Sequence, residues 1–300
     1  MVTGDAAWAV QQYESVRELL PKATMPGHFT LEANLGEIAD DFDVFLLDAF
    51  GVLNVGNSAT AGATERVNML QDMGKRVLVL TNAATYPAEV ALQKFTDFGF
   101  GFQLGDIVSS RDAPKVAMAK REEADLWAAM SAPASAVERL GVPWQRLGYQ
   151  LDVYDLACGF LLLSTSDWHH AQYALLRDSL AKEPSPVLVG NPDIVAPRED
   201  RFSLEPGFFV YQIARRLGLA LELFGKPFGN IYDLALERLP DTDLVRVTMV
   251  GDTLHTDVLG GAAYGIKTVL VTDHGLFAGC DCGAFVAQTG IMPNDTIPGI

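Results

Sequence analysis

Apolar residues in this chain come in short unbroken runs, with longer stretches of helical spacing between them. The run at residues 42–47 is followed by a helical pattern over 61–73 that stops at Gly74, a residue suited to closing a helix. A second run at 76–80 leads into a helical pattern over 87–98, closed by Gly99, and then a short run at 107–109. The alternation resumes with runs at 219–224, 246–250 and 267–271, separated by helical patterns over 228–239 and 258–264. An amphipathic helix over 8–20 precedes them all. A strand covered on both faces reads as a continuous apolar run. Such runs alternating with helices predict an α/β fold with a buried, parallel, Rossmann-like sheet.

The texture changes between residues 116 and 196. This stretch holds Ala- and Glu-rich segments, Trp127, Trp144 and Trp168, and apolar runs at 158–163 and 187–189. It reads as a second, smaller α/β unit inserted in the first. Residues 1–115 plus 197–300 are expected to form the core, and 116–196 the insert. The connecting segments fall at 109–114 and 195–206, both rich in charge, Ser or Pro. A chain of 300 residues can bury about 75% of its unfolded surface, so two such units are within reach.

Charge and cysteine usage narrow the partners. The formal net charge is −16, a field that repels nucleic acid and anionic membrane. Any phosphate site must therefore carry local positive charge, from a metal, a lysine or main-chain N–H groups. The three cysteines, Cys158, Cys280 and Cys282, do not make a disulfide framework and fit a reducing cytoplasm. Cys280 and Cys282 alone cannot supply four zinc ligands. Residues 1–15 lack the pattern of a signal peptide, and no apolar run approaches the roughly 20 residues of a spanning helix.

The polar residues at the ends of the apolar runs are the candidate chemistry, because ligands of open α/β sheets gather beyond the carboxyl ends of the strands. Asp48 ends the first run and is followed by Gly51, which permits a sharp turn. Thr81 and Asn82 end the second, where a hydroxyl, an amide and helix N-terminal N–H groups suit phosphate oxygens. Lys226 stands in Gly225-Lys226-Pro227 after the run at 219–224, a compact charge for a phosphate or an ionised nucleophile. Asp252 and Asp257, five residues apart around a strand-to-helix turn, suit a hard cation such as Mg2+. Alone, Asp252 reads as a helix N-cap, Thr81 as a capping hydroxyl and Lys226 as a solvated side chain. Together they meet the needs of phosphoryl transfer: an in-line nucleophile, a metal and fixed donors.

In order and spacing, these motifs resemble the haloacid dehalogenase superfamily, over about residues 42 to 275. The resemblance is to the branch with an inserted α/β cap, the group of NagD-like sugar and nucleotide phosphatases. Gly190-Asn191-Pro192-Asp193 with Pro197, and Glu205-Pro206-Gly207, are similar to that branch's cap-end signature. The resemblance implies a magnesium-dependent phosphatase of a small phosphorylated metabolite, working through an aspartyl-phosphate. Asp48 would be nucleophile and metal ligand, with the Phe50 carbonyl and Asp252 as further ligands. Asp257 would orient metal-bound water or complete the shell. Thr81 and Asn82 would hold the phosphoryl group, and Lys226 would bridge it to Asp48. A homodimer through the cap is compatible with the sequence.

One position departs from the pattern. Family phosphatases carry a second Asp two residues after the nucleophile, where it acts as acid and base; here it is Phe50. The main-chain role survives and the proton-transfer role does not. A weakly active phosphate-binding homologue, a phosphotransferase and a dehalogenase stay open as alternatives, although keeping both Asp252 and Asp257 argues against the metal-free dehalogenase. Among lesser candidates, His255 is expected on the helix surface or just behind the site, and His169 and His170 on the surface of the insert. Asn191 and Asp193 read as a turn at the hinge, and the three tryptophans of the insert as packing.

Overall fold

The computed structural model describes residues 4–121, 125–133, 135–137, 141, 143–197 and 202–300. Met1 to Thr3, part of the start read for a signal peptide, lie outside the described residues. So do 198–201 of the expected second connection and 122–124, 134, 138–140 and 142 of the insert.

Seven parallel strands make the larger sheet. Their spatial order is Thr30–Leu31, Asp295–Ile297, Lys267–Val271, Val247–Gly251, Val44–Leu47, Arg76–Thr81 and Ile107–Ser109. The central runs are apolar throughout because both faces are covered. Phe45, Leu47, Val77 and Val79 enter one layer with Val67 and Leu70 of helix Ala63–Asp72 and Phe95 of helix Ala88–Asp97. Val44, Leu46, Leu78, Leu80, Val247 and Met249 enter the opposite layer, against Ile231, Tyr232 and Ala235 of helix Gly229–Leu236. Each fully buried side chain of this size contributes about 1.5–3 kcal/mol of transfer free energy. The two outer strands, Thr30–Leu31 and Asp295–Ile297, have no counterpart in the sequence pattern. Both are short, and Leu31 is exposed.

The insert is an α/β unit with its own five-stranded parallel sheet, ordered Glu222–Leu223, Val187–Val189, Gly159–Leu162, Trp127–Met130 and Trp144–Arg146. Residues 219–224 belong by pattern with the core runs. Hydrogen bonding instead places Leu188 beside Glu222 and Val189 beside Leu223. Val210 and Ile213 of helix Pro206–Leu217 also join the insert's apolar cluster. The insert's sheet therefore reaches past residue 196, because an apolar run does not say which sheet it will extend.

The two connections between the units lie side by side. Ser110 Oγ donates to the Gly190 carbonyl at 2.5 Å. Buried Arg111 donates to the carbonyl of Ala84 at 2.9 Å and of Ala136 at 3.0 Å, tying the first unit to the second. The return passes through the antiparallel pair Val195–Pro197 and Phe202–Leu204. No helix among the described residues is long and apolar enough to cross a membrane.

Candidate active site

Strand register assembles the site. Leu47 pairs with Val250 on one side and Val79 on the other, and the Asp48 N–H donates to the Val250 carbonyl at 2.9 Å. Asp48 therefore emerges beside Asp252, and Thr81 and Asn82 emerge on its other flank. This is where chain order reverses in the sheet, the usual place for a crevice at the strand ends. Gly51 turns the chain away with φ +79°, and a Cβ there would fall 2.5 Å from Asp252 Oδ2.

After Asp252 the chain makes a π-helical turn, Leu254–Val258, a wide turn often found at functional sites. It folds Asp257 back so that its Oδ2 accepts from the Thr253 N–H at 3.1 Å. Asp252 is fixed by the Leu276 N–H at 2.7 Å on Oδ2 and the Thr253 hydroxyl at 2.9 Å on Oδ1. The buried Lys226 ammonium lies 2.7 Å from Asp48 Oδ1 and 2.6 Å from Asp257 Oδ1. The Ala49 N–H also donates to Asp48 Oδ1, at 2.7 Å.

One carboxylate oxygen from each of Asp48, Asp252 and Asp257 lies within 4.8 Å of the other two, the one such cluster of potential ligands among the described residues. Burial raises the Asp48 pKa to about 6, with Lys226 pulling it down and Asp257 pushing it up. Burial, then Asp257 and Asp48, holds Asp252 well above the ordinary carboxylate range. Burial disfavours the charged form of Lys226, but Asp257 and Asp48 outweigh it and keep the ammonium protonated. Three close carboxylates facing one ammonium are under-neutralised. That donor set suits a hard divalent cation, which takes carboxylates and main-chain carbonyls.

The remaining candidates are placed as follows. Thr81 is buried, and its Oγ1 accepts from the Ala83 N–H at 3.1 Å. The Asn82 side chain is turned to the Lys226 main chain: Oδ1 accepts from the Lys226 N–H at 2.8 Å, and Nδ2 donates to the Lys226 carbonyl at 2.8 Å and to Asp193 Oδ1 at 2.7 Å. The Phe50 ring packs against the first apolar layer under the Lys94 ammonium, so no carboxylate stands at that position. Of the two places expected for His255, the helix surface is excluded: the ring is fully buried, its Nε2 2.6 Å from Glu14 Oε1 and its face stacked on Tyr13. His169 and His170 are exposed, Trp127 is buried in the insert, and Trp144 and Trp168 are half-buried. Asp193, read from the sequence as part of a turn at the hinge, also touches the site through Asn82. Its only signal in the sequence is the Gly190-Asn191-Pro192-Asp193 turn.

Comparison with known proteins identifies the family. A haloacid dehalogenase-like hydrolase model matches residues 45–141, and a second model, of HAD-hydrolase-like proteins, matches 223–291. Between them they span more than half of the chain and every residue of the cluster. The 4-nitrophenylphosphatase of Schizosaccharomyces pombe is 24% identical over 244 residues, 74% of this chain and 80% of that protein. The glycerol-3-phosphate phosphatase of Homo sapiens is 28% identical over 260 residues, 77% and 78% of the two chains. A crystal structure from Cytophaga hutchinsonii, described as a possible sugar phosphatase, superposes with a TM-score of 0.79 at 23% identity, over 90% of this chain and 98% of that one. The chain belongs to the haloacid dehalogenase superfamily of hydrolases. It is an enzyme, with an α/β core carrying an α/β cap.

Proposed function

We propose that the protein is a magnesium-dependent phosphatase of a small phosphorylated metabolite. The observation that carries this reading is the Lys226 ammonium held between Asp48 and Asp257 at the sheet's carboxyl edge, with Asp252 beside them. Relatives named 4-nitrophenylphosphatase, glycerol-3-phosphate phosphatase and acid sugar phosphatase support the substrate class. Asp48, the Phe50 carbonyl, Asp252 and Asp257 would hold the cation. Magnesium bound there supplies the charge that lets a carboxylate approach a phosphate dianion.

The protein's own groups divide the remaining work. Lys226 and the Ala49 N–H hold Asp48 by Oδ1, which leaves Oδ2 to meet phosphorus. The Thr81 hydroxyl and the Asn82 main chain receive the phosphoryl oxygens. A bond forms from Asp48 to phosphorus as the bond to the leaving oxygen breaks, and that oxygen takes its proton from solvent. Water then attacks phosphorus and frees both phosphate and Asp48. The cap, tied to the core loop by the Thr85 hydroxyl donating to Ser164 Oγ at 3.1 Å, closes the site and selects the substrate.

The test is turnover of nitrophenyl phosphate and a panel of small sugar and glycerol phosphates, with magnesium and with chelator. Magnesium-dependent turnover abolished by Asp48→Asn is the expected result. Turnover indifferent to that substitution removes Asp48 as nucleophile, and activity on haloacids that survives chelator favours a dehalogenase. Phosphoryl transfer to an added alcohol in place of release to water favours a phosphotransferase.

A further inference from the structure

Asp193 lies on the segment that returns from the cap sheet to the core, between strand Val187–Val189 and the hairpin strand Val195–Pro197. Its carboxylate accepts from Asn82 Nδ2 at 2.7 Å. The same Asn82 amide reads both polar groups of the Lys226 main chain, accepting from its N–H and donating to its carbonyl, each at 2.8 Å. Both Nδ2 protons are thereby used, one on Asp193 and one on Lys226. The approach is close enough that residue 225 must be glycine: φ is +102°, and a Cβ would sit 2.5 Å from Asn82 Oδ1.

Asp193 is itself held on its own segment. Its N–H donates to Asn191 Oδ1 at 3.1 Å, and Asn191 Nδ2 donates to Glu205 Oε2 at 3.1 Å. The next N–H, of Ile194, donates to the buried Tyr13 hydroxyl at 3.2 Å. A carboxylate so fixed at the end of the cap can hold an amide in one orientation. An amide so held fixes the main chain of the lysine that touches the nucleophile.

We infer that Asp193 is a positioning residue that couples the cap's return segment, through Asn82, to the placement of the Lys226 ammonium on Asp48. The inference rests on the proposed phosphatase reading for its kinetic test only, since the hydrogen-bonded chain is observable without turnover. Asp193 does not touch the reacting atoms in this account. What it supplies is the Oδ1 acceptor, and an asparagine at 193 supplies an acceptor of the same shape.

The experiment compares Asp193→Ala and Asp193→Asn with wild type on nitrophenyl phosphate with magnesium, alongside thermal melts and crystal structures of the metal-loaded variants. Asp193→Ala is expected to lower kcat by about 10- to 100-fold, the scale of a small misplacement of a reacting group, with KM within about threefold. Asp193→Asn should recover to within about threefold of wild type, and the Asp193→Ala structure should show Lys226 Nζ displaced from Asp48. If Asp193→Ala does not fold, Asp193→Ser replaces it with the same expectation, because its hydroxyl stops short of the Asn82 amide. A kcat unchanged in the folded variant, with Lys226 in place, overturns the inference. An equal loss in Asp193→Asn also overturns it, since the carboxyl itself would then be needed. If wild type shows no phosphatase turnover, the functional reading fails. The position of Lys226 in the variant structures then decides the coupling by itself.

Discussion

The Lys94 ammonium lies 4.6 Å from the centre of the Phe50 ring. That contact occupies the position where the family pattern places an acid and base, and it turns an apolar face toward a cation that a carboxylate could equally meet. Without the acid, the leaving oxygen has no positioned proton donor and depends on solvent for its proton. Nitrophenolate, a weak base, tolerates this better than an alkoxide does. Phe50→Asp is therefore expected to raise turnover of glycerol or sugar phosphates by a share of the roughly 10²–10⁴-fold that positioned proton transfer provides. Nitrophenyl phosphate should gain much less. Paired kcat/KM values for the two substrate types measure the difference, and equal gains, or none, refute this account of position 50.

Lys226 places its ammonium against two carboxylates of the cluster, Asp48 and Asp257, and its side chain is buried. Replacing it with a similar-sized apolar residue leaves buried charge without its partner, which typically costs about 3–5 kcal/mol. Lys226→Met should lose that stability in urea unfolding with chelator present. It should also lose turnover by about 10²–10³-fold, the scale of removing one charge-stabilising group. A midpoint equal to that of wild type would mean that the ammonium does not neutralise Asp48 and Asp257.

Much of this was legible in the sequence, for reasons that also mark where legibility stops. Asp48, Thr81 and Asp252 could be found because a parallel sheet buried on both faces leaves continuous apolar runs, and its active edge is wherever those runs end. Lys226 was found by its motif, although its strand, Glu222–Leu223, joined the cap sheet and not the core. Two strands on one flank of the sheet, Thr30–Leu31 and Asp295–Ile297, were illegible because a strand of two or three residues has no period to detect. The contact of Asn82 with Asp193 spans 111 positions and depends on how the cap returns, which no local pattern encodes. The sequence left His255 open between the helix surface and a place just behind the site, because nothing in its own turn shows that Tyr13 and Glu14 will cover it.

Three carboxyls of the site have raised pKa values: Asp48 to about 6, Asp193 to about 8 and Asp252 well above the ordinary range, each chiefly through burial. A folded-state value above the unfolded one means that the folded protein holds more protons. The stability these groups contribute is then complete below the unfolded pKa and is lost as pH rises through the folded values. Asp43 and Glu14 are shifted down and act oppositely, but only below the ordinary carboxylate range. His255 is also shifted down and offsets part of the loss as pH rises through the ordinary imidazole range, against the three carboxyls together. Chelated protein should therefore melt lower at pH 8.5 than at pH 5.5, and saturating magnesium should reduce the gap. Asp252→Asn removes one of these buried acids. It should raise the melting temperature of chelated protein at pH 8 while losing most of the magnesium-dependent gain, which is about 2.7 kcal/mol at a hundredfold excess over Kd. A variant still stabilised by magnesium as wild type is would remove Asp252 from the ligand set.

The N-terminal helix Ala6–Ser15 precedes both family matches, yet it closes over the turn that carries Asp257. His255 sits inside that turn with no exposed surface. Burial lowers its pKa against the opposing pull of Glu14, and its Nε2–H donates to the Glu14 carboxylate, which can only accept. Glu14→Ala leaves that buried donor unsatisfied, at a cost of about 1–3 kcal/mol. The same loss frees the Leu254–Val258 turn to shift, and with it the bond from the Thr253 N–H that orients Asp257. Glu14→Ala should therefore melt lower and also need more magnesium for half-maximal turnover, whereas Glu14→Gln, whose amide oxygen still accepts from the ring, should need little more than wild type. Calorimetric melts and magnesium titrations of turnover separate the two effects. If Glu14→Ala is destabilised but keeps the wild-type magnesium requirement, the helix supports the fold and does not tune the metal-binding turn.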